Sequence, residues 1–217
     1  MWRWIAGAAG ALLILAIAGI VVLGLPFQAY SIPAESMMPT LRTGDVVLVD
    51  RWAYRFGAPQ RGDIVTFPPP IAEPGGANDD FIKRVIGMPG DSLKIDRGTV
   101  YVNGRPLTER YVYDRAHYDL IVKDYAIYTD EDGSGLKPLD PRSANIPPRS
   151  EWTAPDTIPP NCYLMLGDNR NNSDDSHIWG FAQNAGDFAT GDKAGKSAWF
   201  TGRATQILTP SKRARSL

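Results

Sequence analysis

The chain has 217 residues and a formal net charge of −1, long enough for one anchored globular domain with a sizeable core. The near-neutral balance gives no electrostatic reason for a nucleic-acid partner, and the single cysteine, Cys162, excludes an intrachain disulfide. One cysteine and two distant histidines, His117 and His177, make no metal ligand set, so neither a metal nor another cofactor is expected.

Trp4 to Leu25 is almost wholly Ala, Leu, Ile, Val and Gly, and no charge occurs between Arg3 and Glu35. Roughly 21 helical residues at about 1.5 Å each span about 31 Å, the thickness of a hydrocarbon core. A cleavable signal peptide is the competing reading, but its apolar core runs to only about 7–15 residues. The run therefore predicts a retained transmembrane helix over residues 4–25, with the lipid bilayer as partner. Trp2, Trp4 and Tyr30 suit the two interfaces. Arg3 favours a cytoplasmic N-terminus, with everything after residue 30 outside, although Arg42 and Arg51 weaken that asymmetry.

Beyond the anchor the sequence predicts a mainly β domain. Gly-Asp followed by an apolar or β-branched run recurs at Gly44-Asp45-Val46-Val47-Leu48-Val49, Gly62-Asp63-Ile64-Val65-Thr66-Phe67 and Gly90-Asp91-Ser92-Leu93-Lys94-Ile95. The dipeptide supplies turn chemistry and the run supplies a strand. Thr99 to Val102 adds a strand ending in the turn Asn103-Gly104. With 21 glycines and 18 prolines, and no long 3.6-residue period after the anchor, an antiparallel β-sheet domain is expected. Pro68 to Asp80 predicts a loop between two strands.

Residues 106–160 carry an excess of acids and a proline-rich end. They predict a small lobe inserted into the β domain or a long ordered loop. The β domain is then expected at 30–105 and 161–208. Cys162 opens an apolar strand-like run and predicts a buried thiol. A basic tail, 209–217, is expected either to fray in solvent or to touch anionic lipid.

The chemistry centres on Ser36, just beyond the apolar segment in Pro33-Ala34-Glu35-Ser36-Met37-Met38-Pro39-Thr40-Leu41. A serine is inert unless something takes its proton, and a neutral lysine amine is one such base. Lys83 stands in Phe81-Ile82-Lys83-Arg84-Val85-Ile86. Strand alternation puts it on one face with Phe81 and Val85, where desolvation disfavours the ammonium. An ordinary lysine snorkelling to water is the competing reading. A third stretch, Gly167-Asp168-Asn169-Arg170-Asn171-Asn172-Ser173-Asp174-Asp175-Ser176-His177-Ile178-Trp179-Gly180-Phe181, places an Asn-rich, doubly acidic loop between apolar segments. It is either a solvated turn or a loop whose side chains bond to something.

These stretches, with Arg61-Gly62-Asp63-Ile64-Val65 and Lys83 through Asp91, resemble bacterial type I signal peptidase. They fall in that family's order and cover roughly a third of the chain. The resemblance implies a membrane-anchored serine endopeptidase of the bacterial cytoplasmic (inner) membrane, single-pass, with its catalytic domain on the extracytoplasmic side. It would remove signal peptides from exported preproteins after small residues. It implies Ser36 as nucleophile, Lys83 as general base, Ser173 as the serine orienting the amine, and Asp175 as an acid supporting the site through a pair with Arg84. The Ser36 backbone N–H would form half of an oxyanion hole. Preprotein signal peptides and the secretion translocon are the partners implied.

Two positions depart from the pattern. Where enterobacterial relatives have a serine whose hydroxyl completes the oxyanion hole, this chain has Ala34, which offers no donor. Such a donor is worth about 2.7–4 kcal/mol of transition-state stabilisation. Where many relatives have arginine, this chain has His177, so support of Asp175 is expected to weaken at neutral pH and leave Arg84 as its main partner. Ile32, Met37 and Met38, with Phe27, are expected either to meet substrate or lipid or to pack in the core. The alternatives are a peptidase dedicated to one conjugation or pilus substrate, and an inactive module that only binds preproteins.

Overall fold

Each Gly-Asp turn is built in one way. The aspartate Oδ2 accepts the backbone N–H three residues earlier: Arg42 to Asp45 at 2.8 Å, Gln60 to Asp63 at 3.0 Å and Met88 to Asp91 at 2.7 Å. Gly44 and Gly62 have φ of +85° and +94°, a region glycine enters without a Cβ clash. The chain thereby reverses and enters a strand, the aspartate side chain closing the turn behind it.

The protein is described here by a computed structural model covering residues 9–10, 12–14, 26–54, 57–68, 80–139, 155–183, 200–209 and 215–217. The expected anchor lies mostly outside the described residues, as do most of the loop before Asp80 and the 140–154 part of the expected insert. Residues 9–10 and 12–14 are helical. Among the described residues no helix is long and apolar enough to cross a membrane.

The strands are β1 (Phe27–Ser31), β2 (Val46–Asp50), β3 (Ile64–Phe67), β4 (Phe81–Gly87), β5 (Leu93–Asp96), β6 (Thr99–Val102), β7 (Arg105–Pro106), β8 (Asp119–Lys123), β9 (Ala126–Asp130), β10 (Lys137–Pro138), β11 (Cys162–Leu166), β12 (Ala182–Gln183), β13 (Gly202–Thr209) and β14 (Arg215–Ser216). A one-turn helix, α1, spans Ser176–Trp179. All the strand pairs among the described residues are antiparallel. One sheet runs β1-β2-β13-β3-β4-β11-β12, with β14 on β13; the other runs β10-β9-β8-β5-β6-β7. The architecture is mainly antiparallel β, as the turn and strand pattern predicts. The second sheet already begins with β5 and β6, upstream of residue 106, because β5 pairs with β8 and with β6 rather than with β4. In the basic tail, Arg215 and Ser216 pair with β13.

Three apolar cores position the site. Val65, Phe67, Val85, Met165, Trp179 and Phe200 pack behind β3, β4 and β11. Ile86, Leu164 and Leu166 meet Leu93, Val100, Leu120 and Ile127 where the two sheets join. Ile32, Met37 and Leu41 pack with Val47, Val49 and Ile207 beneath the Ser36 turn. Each such side chain contributes about 1.5–3 kcal/mol on burial, so the turn rests on an apolar floor.

Candidate active site

Ser36 lies in a turn closed by two backbone hydrogen bonds, Met38 N–H to Glu35 O at 3.0 Å and Leu41 N–H to Met37 O at 2.9 Å. Met37 and Ile32 are 0% and 3% exposed. That corrects the expectation that they meet substrate or lipid: both are core residues anchoring the turn, because the strands they face are apolar. Met38 is half-buried and Phe27 is exposed.

β4 delivers Lys83 to this turn. Its Nζ lies 2.8 Å from Ser36 Oγ and 5.3 Å from the Phe81 ring centre, on the strand face that alternation predicts. Lys83 is 5% exposed. Burial lowers its pKa, against the opposing charges of Asp175 and Asp174. As an ammonium Nζ donates to Oγ; as a neutral amine it accepts the hydroxyl proton, the arrangement a general base requires. Ala34, Ser36, Lys83, Phe81, Ser173 and Asp174 line a cleft of about 450 Å³. The Ala34 methyl brings no donor to it.

The loop after β11 holds the turn from the other side. Asn169 donates its backbone N–H to Ser36 O at 3.0 Å and its side-chain amide to Glu35 O at 3.2 Å. Gly167 sits against the same carbonyl: a Cβ there would fall 2.4 Å from Ser36 O and 2.2 Å from Ser173 Oγ. The Asn-rich loop is thus a bonded support rather than a solvated turn.

The expected pair of Arg84 with Asp175 is not formed. Arg84 binds Asp168 through two nitrogens, at 2.8 and 2.6 Å. Its guanidinium also donates to Gly62 O at 2.8 Å and stacks 4.0 Å from the Tyr111 ring centre. Thr40 Oγ1 donates to the same aspartate at 2.5 Å. Strand alternation explains the correction: Arg84 points to the face opposite Lys83, and there Asp168 is the acid it meets. Asp175 is fully buried and caps α1. It accepts Gly167 N–H at 2.8 Å, and its Oδ1 lies 2.6 Å from His177 Nδ1. His177 stacks on Tyr118 with ring centres 4.2 Å apart and planes 9° apart. Burial pulls the His177 pKa down. The hydrogen bond and charge of Asp175, with Glu131 and Asp174 further off, outweigh it and leave the pKa raised. The expectation that support of Asp175 falls to Arg84 is therefore overturned; His177 supplies it.

Ser173 lines the cleft beside Lys83, yet its buried Oγ has no hydrogen-bond partner among the described residues. The expected bond to the lysine amine is absent; the Gly167 backbone and Ser36 turn crowd that hydroxyl from behind.

Sequence reasoning missed the contribution of the second sheet. Arg170, 1% exposed, is held by Glu109 through two nitrogens at 3.0 and 2.5 Å. Asn171 bonds Asp114 and Arg115 O, each at 2.9 Å, and accepts His117 N–H at 2.8 Å. With Tyr111 and Tyr118, the 109–118 segment forms the outer wall of the site loop. Among the described residues no group of three His, Cys, Asp or Glu side chains is placed to hold a metal ion.

The sequence profile of the family described as Signal peptidase, peptidase S26 matches residues 1–189. Signal peptidase I of Leptolyngbya laminosa is 37% identical over 157 residues, 71% of this chain and 61% of its own length. Signal peptidase IB of Staphylococcus aureus is 37% identical over 180 residues, 82% of this chain and 80% of its own. The chain thus spans about three fifths of the length of the cyanobacterial relative. A crystal structure of a signal peptidase I from Enterococcus faecalis aligns with a TM-score of 0.38 and 27% identity, over 70% of this chain and 98% of that one.

Proposed function

We propose, from the premise that this chain belongs to the signal peptidase, peptidase S26 family, that it is a membrane-anchored serine endopeptidase removing signal peptides from exported preproteins. The observation that supports the reading most is the 2.8 Å approach of Lys83 Nζ to Ser36 Oγ at an open cleft, with the lysine buried and its pKa lowered.

In this mechanism the neutral Lys83 amine takes the Ser36 hydroxyl proton as Oγ attacks the scissile carbonyl. The oxyanion is met by the Ser36 N–H. The lysine then returns the proton to the leaving amine, and the acyl-enzyme hydrolyses when the amine, neutral again, activates a water. Asp168, Asn169 and Gly167 keep the Ser36 turn against β4. The apolar run 4–25 would anchor the enzyme in the membrane holding the substrate's signal segment, which converts the search to two dimensions. Family resemblance suggests small residues one and three positions before the cut.

The test uses purified protein in detergent with a preprotein bearing Ala-x-Ala, followed by N-terminal sequencing of the product. Cleavage after the second alanine is expected, with Ser36→Ala and Lys83→Ala each inactive. Retained cleavage in either variant overturns the dyad.

A further inference from the structure

A second concavity, of about 610 Å³, opens away from the Ser36 cleft, between the Pro39–Arg42 segment, the Arg110–Tyr111 segment and β14. Its wall carries four guanidinium groups. Arg84 is neutralised by Asp168 at 2.6 Å, whereas Arg42, Arg110 and Arg215 are exposed and form no ion pair among the described residues. The chain has 24 acidic residues and a net charge of −1, so carboxylates for internal pairing are abundant. Among the described residues no Asp or Glu side chain lines the concavity. Three forked cations converging on one concavity repel one another, and the repulsion is relieved when an anion enters.

The rest of the lining narrows what that anion is. Ile64 and Tyr111 give the concavity an apolar side, and its volume is in the range of small-ligand sites rather than of flat protein interfaces. Guanidinium groups match the several oxygens of a phosphate with paired, charge-assisted hydrogen bonds, directed as a single carboxylate cannot satisfy from three sides. We infer that the cleft of Arg42, Arg110 and Arg215 binds a phosphate group, either the head group of an anionic phospholipid or free phosphate. The site touches the catalytic support at one point: Thr40 and Arg84, which hold Asp168 at 2.5 and 2.6 Å, form its inner wall.

The experiment measures binding and needs no turnover, so it stands whether or not the chain cleaves preproteins. The full chain in nonionic detergent is titrated with short-chain phosphatidylglycerol, with short-chain phosphatidylcholine as a zwitterionic control, and separately with inorganic phosphate. The same titrations follow on the Arg42→Gln/Arg110→Gln/Arg215→Gln variant and on Arg97→Gln, an exposed arginine elsewhere. Circular dichroism checks that each is folded. Loss of three charge-assisted contacts is expected to weaken binding by about tenfold or more in the triple variant and not in Arg97→Gln. Selective binding of phosphatidylglycerol marks a lipid head group; saturable binding of inorganic phosphate marks the free anion. Absence of binding to either probe, or equal binding by wild type and triple variant, overturns the inference.

Discussion

Gly167→Ala is the sharpest probe of how the Ser36 turn is held. The new Cβ would stand 2.4 Å from Ser36 O and 2.6 Å from Ser173 Cβ. Both neighbours are fixed: Ser36 O already accepts Asn169 N–H at 3.0 Å, and Ser173 is buried. Relief needs a displacement of about 1 Å, a misplacement that costs about 10²-fold in rate for a positioned nucleophile, or about 2.7 kcal/mol of activation free energy. The fold has its own loss, about 1–3 kcal/mol for overpacking. Steady-state cleavage of an Ala-x-Ala peptide, well below the variant's melting temperature, separates the two effects. The expectation is a kcat decrease of about 10²-fold with KM little changed. Gly57→Ala, whose Cβ would meet its nearest neighbour at 3.6 Å, serves as control. A Gly167→Ala enzyme with wild-type kcat would show that the close approach to Ser36 O does not position the nucleophile.

Burial that lowers the Lys83 pKa also costs stability wherever the unfolded lysine is charged. Lys83→Met is therefore expected to be inactive yet to melt at least about 2–4 °C higher at neutral pH, with the gap closing as pH rises toward about 10.4; an unchanged or lower melting temperature contradicts this. His177 has a raised pKa, so its ionised pair with Asp175 stabilises the fold fully below about pH 6.5 and loses that contribution as pH rises through the folded value. Denaturant unfolding of His177→Gln against wild type should show the larger difference at acid pH. Asp175 then lies uncompensated and raises the Lys83 pKa, so the ascending, acid-side limb of the pH–activity profile, which reports the base losing its proton, moves to higher pH; superimposable limbs would refute the coupling. Glu109→Gln leaves Arg170 buried with its charge unpaired and is expected to cost about 3–5 kcal/mol by denaturant unfolding. Adding Arg170→Met should recover much of that loss, and strict additivity of the two changes would show that the pair is not coupled.

The strands were legible because their signals are local. Gly-Asp turns followed by apolar or β-branched runs mark β2, β3 and β5. The pairing of Ser36 with Lys83 was one chemical possibility among others in the sequence, since a strand lysine can also snorkel to water; the ordered motifs shared with the family, not the run around Lys83, favoured it. The acid partners were not. Asp168 and Asp175 lie in one loop, and only the direction in which β4 presents Arg84 decides between them. Likewise Arg170 requires an acid once buried, but the acid-rich 106–160 segment offers many, and the register of the second sheet selects Glu109. The Tyr118–His177 stack arises from the same long-range packing and leaves no sequence period to read.

Lys83 and Arg84 are neighbours in β4, 5% and 8% exposed, and the site asks opposite things of them. In the proposed mechanism one must be able to lose its proton; the other binds an acid as a cation. The pleat separates them, sending the amine to Ser36 and the guanidinium to Asp168. The groups that act on the Lys83 pKa are its own burial, then Asp175 and Asp174, and Arg84 is not among them. With Asp168 at 2.6 Å, Arg84 is electrically quiet toward the amine. In the proposed mechanism its effect is therefore mechanical. It fixes Asp168, the next residue Asn169 holds the Ser36 carbonyl, and the hydroxyl stays within 2.8 Å of the base. In the proposed mechanism Arg84 thus serves catalysis without tuning the charge of Lys83, because Asp168 on the opposite face takes up its own.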